Sequence, residues 1–171
     1  MNRRDILNLS AAAILGLAFA TNSAMGQQKT LKEQLAGVWT LVAFESFDAS
    51  GAKIPNMEGS DVKGLLILTD GGRLSVQMIA DYPKIASKDR LNTTPAEDKA
   101  VAHGVLSYFG TYTVSEPDKT ISYRIERSSF PNQVTGADAK RAATLTGDEL
   151  KLDNPSRTAG GRTVTVWQRA K

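Results

Sequence analysis

Val62-Lys63-Gly64-Leu65-Leu66-Ile67-Leu68-Thr69, Asp70-Gly71-Gly72, Arg73-Leu74-Ser75-Val76-Gln77-Met78-Ile79: residues 62–79 read as strand, turn and strand. The first part is a near-continuous apolar run. The last alternates, with Leu74, Val76 and Met78 on one side and Arg73, Ser75 and Gln77 on the other. That two-residue period is the mark of a half-buried strand. Between them, glycine tolerates the positive φ that a tight hairpin turn requires. The stretch therefore predicts an antiparallel hairpin with one buried face.

The same signature recurs outward from this hairpin. Val38 to Phe47 is rich in β-branched and aromatic residues and reads as a strand. Tyr108 to Val114 and Thr120 to Arg127 pair across Glu116-Pro117-Asp118-Lys119. Ala139 to Leu145 and Glu149 to Leu152 pair across Thr146-Gly147-Asp148, and Arg162 to Arg169 is the last strand. Asp48 to Ser60, Ser128 to Asp138 and Pro155 to Gly161 are loops, each holding proline and glycine. Thr30 and Glu33 form a capping box for a short helix with Leu31 and Leu35 on its apolar edge, ended by Gly37. Thr94-Pro95-Ala96-Glu97 opens an inserted helix, with proline at the first helical position, running to about Val105. Such a chain predicts a mainly β fold: a single antiparallel up-and-down barrel of about eight strands with one inserted short helix. Closure removes exposed strand edges; an open sandwich is the alternative arrangement.

Composition narrows the function classes. Hydrophobic residues make up 41% of the 171 and charged residues 23%, enough to build one domain with a real core. Taking Arg3, Arg4 and Asp5 from the 21 basic and 18 acidic residues leaves 19 and 17, spread along the chain. No nucleic-acid partner is expected from so even a balance. The absence of cysteine excludes disulfides, thiolate metal sites and cysteine nucleophiles, and a single histidine, His103, excludes a multi-histidine metal site within one chain. There is no nucleophile elbow, phosphate loop, dinucleotide fingerprint or metal motif, so no cofactor is expected.

Residues 1–26 read as a cleaved signal peptide. Arg3 and Arg4 supply the positive start, Ala11 to Ala20 the apolar centre, and Ala24-Met25-Gly26 the small residues that precede cleavage before Gln27. The apolar run falls short of the roughly 20 residues a permanent span needs, so no membrane anchor is expected. Asn2-Arg3-Arg4-Asp5-Ile6-Leu7-Asn8 also resembles a twin-arginine export signal. The mature domain, 27–171, is thus expected in the periplasm or secreted medium.

Gly37-Val38-Trp39, at the start of the first strand after a short helix, resembles the Gly-x-Trp opening of lipocalins and related calycins. With Gly64 to Ser75, Tyr108 to Tyr112, Ser129 to Asn132 and the closing Trp167-Gln168-Arg169, most of the mature chain resembles the lipocalin-like domain family. The resemblance implies a barrel with a cavity and names no ligand. It also implies that a basic residue near the last strand packs on the first-strand tryptophan, and Arg169 is the best-placed match.

Alternation nominates the interior. Ile121, Tyr123, Ile125 and Arg127 share one face; Tyr108, Tyr112 and Val114 share another; Leu74, Val76 and Met78 form a third wall. In the first strand Trp39, Leu41, Ala43 and Glu45 alternate together, which turns Glu45 inward near the rim. The predicted ligand-binding residues are therefore Glu45, Met78, Tyr108, Tyr112, Tyr123 and Arg127, with Asn132 of the Phe130-Pro131-Asn132 loop. Each tyrosine could equally be a core residue with a satisfied hydroxyl, and Asn132 could simply bond its own turn. His103, near a helix end, suits the helix dipole or a guard at the barrel mouth.

The leading expectation is an exported binder of a small apolar or aromatic molecule. An isomerase- or cyclase-type enzyme would need a proton-moving group in the pocket, and an interaction module would have a filled barrel. Replacing Arg3 and Arg4 together by lysine is expected to abolish delivery to the periplasmic fraction. Unchanged export contradicts the twin-arginine route.

Overall fold

The hairpin forms as read. In the computed structural model, which describes residues 29–55, 57 and 59–171 and so leaves the expected leader outside, β3 (Ser60–Leu68) pairs antiparallel with β4 (Arg73–Asp81). Leu66 lies opposite Val76 and Leu68 opposite Leu74. The turn is held by Thr69 N–H donating to the Arg73 carbonyl and Gly72 N–H donating to the Thr69 carbonyl, both at 2.9 Å, with Gly72 at φ 80°.

From this hairpin the sheet grows both ways. α1 (Leu31–Leu35) leads into β1 (Gly37–Phe47) and a two-residue β2 (Lys53–Ile54); α2 (Pro95–Gly104) follows β4. Then come β5 (Val105–Ser115), β6 (Thr120–Ser128), β7 (Ala139–Thr146), β8 (Glu149–Asn154) and β9 (Arg162–Arg169). The order is β2-β1-β3-β4-β5-β6-β7-β8-β9, and β9 returns to pair with β1 from Trp39–Arg169 to Phe47–Arg162. That last ladder closes the eight long strands into a barrel, as expected. Both capping boxes form, at Thr30 and Thr94. Val105 is a correction: Gly104 stops the helix, and Val105 takes extended angles and pairs with Ile79.

The two ends of the barrel differ. The tight turns after β3, β5 and β7 lie at the end where β1 begins. The connections 48–59, 82–104, 129–138 and 155–161 all cross the other end. α1 covers the first end, burying Leu31 and Leu35. There the Trp39 indole N–H donates to the Leu35 carbonyl at 2.9 Å, and the Lys32 N–H donates to Glu116 of the β5–β6 turn at 3.1 Å. Arg169 lies over the Trp39 ring at 4.1 Å and donates to the carbonyls of Ala36 (3.1 Å) and Gln34 (2.6 Å). These are carbonyls that a helix end leaves without an internal partner. A Cβ at Gly37, which sits at φ 140°, would come within 2.9 Å of the same guanidinium.

The alternation is interrupted at three places: one lies at the start of β3, between Ser60 and Lys63, and the other two are β-bulges that bear on the lumen. Between Leu41 and Ala43 the β1–β9 register shifts, leaving Val42 surplus. Between Phe109 and Gly110 the β5–β6 register shifts, leaving Glu126 surplus, since Arg127 opposes Phe109 and Ile125 opposes Gly110. A Cβ at Gly110 would run into the Arg124 carbonyl, so only glycine permits the close approach of these two strands.

Trp39 is fully buried, and Trp39→Ala is expected to cost about 3–5 kcal/mol, the range of large-to-small core substitutions. Urea unfolding measures it; a loss below about 1 kcal/mol contradicts the closing role of this ring.

Candidate functional site

Above the plugged end the strands enclose a cavity of about 1120 Å³, counted with its mouth. It exceeds the space that side chains alone leave in a filled small barrel and is large enough for a ligand of some tens of atoms. One wall is apolar: Val76 and Met78 of β4, Leu106 of β5 and Ile125 of β6, with Phe44 of β1. The facing wall carries polar groups: Arg141 of β7, Asn154 of β8, Thr163 and Thr165 of β9, and Ser46 of β1. Cross-strand pairing explains the grouping. Ser46 opposes Thr163, Thr163 opposes Asn154, and Asp153 opposes Ala142, which sets Asn154 beside Arg141 in one row. Ala102 and His103 of α2 and Phe130 and Gln133 of the β6–β7 connection stand at the mouth.

Of the residues nominated from sequence, the structure brings Met78, Tyr108 and Tyr123 together on the lining. The other four are corrections. Tyr112 does face inward but lies below the cavity, where its hydroxyl donates to the Thr69 carbonyl at 2.8 Å. Glu45 points outward and pairs with Lys53 at 2.7 Å, because Val42 shifts the alternation so that Phe44 and Ser46 turn in instead. Arg127 points outward for the same reason one bulge later: Glu126 displaces it to the exposed side, opposite Phe109. Asn132 is exposed on a 3-10 turn, Pro131–Gln133, while its neighbours Phe130 and Gln133 reach the lining.

Two residues that alternation missed define the polar side. Arg141 is only 8% exposed, and its guanidinium lies over the Tyr123 ring at 4.1 Å. Its Nη1 donates to the Ala139 carbonyl at 2.8 Å, and among the described residues no carboxylate lies within ion-pair distance. The readable signal was a lone cation on the inward row Ala139-Arg141-Ala143-Leu145, whose other members are apolar. Ser46, 1% exposed, was hidden by the bulge at Val42. The hydroxyls of Ser46 and Tyr123 are both buried without a hydrogen-bond partner.

The phenols are shaped by this setting. Tyr108 and Tyr123 lie with ring centroids 6.4 Å apart, tilted by 51°. Burial pushes the Tyr123 phenol well above its ordinary range, the neighbouring Tyr108 adds to the rise, and the Arg141 charge offsets part of it. Burial raises the Tyr108 phenol too, again offset in part by Arg141. At neutral pH both are proton-bearing donors. A guanidinium keeps its charge at any working pH, and burying it without a counterion costs several kcal/mol on the scale of buried ions.

The pattern of hydroxyl satisfaction separates two tyrosines that look alike in sequence. Tyr123→Phe removes an unpartnered group and is expected to leave thermal stability unchanged or slightly higher. Tyr112→Phe removes a made hydrogen bond and is expected to cost about 0.5–1.5 kcal/mol. The reverse order in urea unfolding contradicts this assignment.

The model of the lipocalin-like domain family matches residues 36–170. No curated protein matches the chain. Among solved structures, a redesigned β-barrel is similar, with 14% identity, a TM-score of 0.44, and coverage of 84% of this chain and 98% of that one. Since the family match runs from the residue before β1 to the residue after β9, the chain belongs to the lipocalin-like domain family.

Proposed function

We propose that this protein binds one small, largely apolar or aromatic molecule inside its barrel, and that it does so outside the cytoplasm. The observation that carries the reading is the interior cavity itself: an apolar wall facing a few placed polar groups, which is how small-molecule sites are built. A barrel acting only through its loops would be packed solid. Burial drives both cavity phenols away from the neutral range that a proton-moving group needs, so an enzyme reading would rest on His103 at the mouth. Export rests on the sequence of residues 1–26, with the cysteine-free composition placing no disulfide requirement on the compartment. A twin-arginine route would deliver the barrel already folded.

Nile red, a neutral apolar dye, tests the interior site. One dye per chain is expected to bind with enhanced fluorescence. Met78→Trp, which fills the apolar wall, is expected to weaken uptake by at least about tenfold with little change in melting temperature. No uptake by the unaltered protein, or equal uptake by the variant, overturns the reading.

A further inference from the structure

We infer that the molecule held in the cavity is an amphipathic carboxylate, its apolar body against Val76, Met78 and Ile125 and its anionic head on Arg141. This rests on the interior-binding reading and gives it a ligand class.

The argument starts from donors. A guanidinium has five N–H groups in a planar fork; Arg141 uses Nη1 on the Ala139 carbonyl and another N–H toward the Tyr108 phenol, which leaves the rest of the fork for a ligand. The guanidinium carbon lies 4.1 Å over the Tyr123 ring, and Arg141 lines the cavity. Beside it stands the unpartnered Tyr123 hydroxyl, with no exposed surface; the unpartnered Ser46 hydroxyl lies further along the same row, three strands away on β1. The phenol can donate, and a carboxylate accepts at two oxygens in a geometry matched to the guanidinium fork. The other charged lining groups sit toward the mouth, and the acidic one, Asp138, is already paired with Arg124 at 3.0 Å. One buried cation calls for one negative charge, which favours a carboxylate over a doubly charged phosphate ester. Away from the two phenols, the opposite wall is built of the apolar side chains Val76, Met78, Leu106 and Ile125, which suits an apolar remainder of the ligand.

The alternative is that Arg141 is a core cation stacked on Tyr123, with no part in binding. Calorimetric titration separates the two. The probes are decanoate and 2-naphthylacetate, each compared with the primary alcohol of the same skeleton, at neutral pH. The unaltered protein is expected to prefer each acid over its alcohol by about 10- to 100-fold, the worth of a charge-assisted hydrogen bond. Arg141→Met, which replaces a buried charge by an apolar chain of similar length, is expected to bring that ratio close to one. Arg141→Lys, which keeps the charge and loses the fork, should retain part of it. Melting temperatures confirm that each variant is folded. Equal affinity for acid and alcohol in a protein that takes up Nile red overturns the carboxylate assignment alone. So does a preference that persists in Arg141→Met. Binding of no probe of either kind overturns the interior site as well.

Discussion

The barrel depends on one contact: the guanidinium of Arg169 lying on the indole of Trp39. Trp39 and Arg169 are paired residues in the ladder that joins the last strand to the first. The stack therefore stands at the seam where a sheet becomes a cylinder. Arg169 then reaches past the ring to the final carbonyls of α1, and Trp39 reaches the Leu35 carbonyl from below. Seam, plug and core are thus tied through two side chains nearly at opposite ends of the barrel domain. A closed sheet has no edge strand to recruit another chain, and a plugged end gives the interior a floor.

Much of this was legible because it is local. A two-residue period, glycine-bearing turns and capping boxes each declare themselves within a few residues, so strands, turns and helix starts follow from sequence. Trp39 and Arg169 needed the family resemblance, since nothing local joins residues so far apart. Val105 was misread because apolar spacing alone does not distinguish the end of a helix from the start of a strand.

The site was less legible, and the reason is specific. Alternation places side chains correctly until a surplus residue enters the ladder, after which every inference along that strand is inverted. Met78 lies on an uninterrupted stretch of β4 and Tyr123 precedes the bulge in β6, so both were placed inward. Glu45 and Arg127 follow bulges and were placed on the wrong side. Tyr112 was on the right face but at the wrong height, which no periodicity reports. Arg141 was passed over because a charged residue amid alanines looks like a solvent-facing position, although its row is the buried one.

The bulges have a chemical consequence as well as a geometric one. Suppose the surplus residues were drawn into their ladders by a slip of one position in the outer halves of β1 and β6. Glu45 would then replace Ser46 on the inner wall, and Arg127 would replace Ser128 on its own row. The inner wall would then carry a carboxylate and a second guanidinium, each burying a charge where a serine now stands. Val42 and Glu126 are not part of the cavity lining, yet by occupying one place each they keep those two charges out of the lumen.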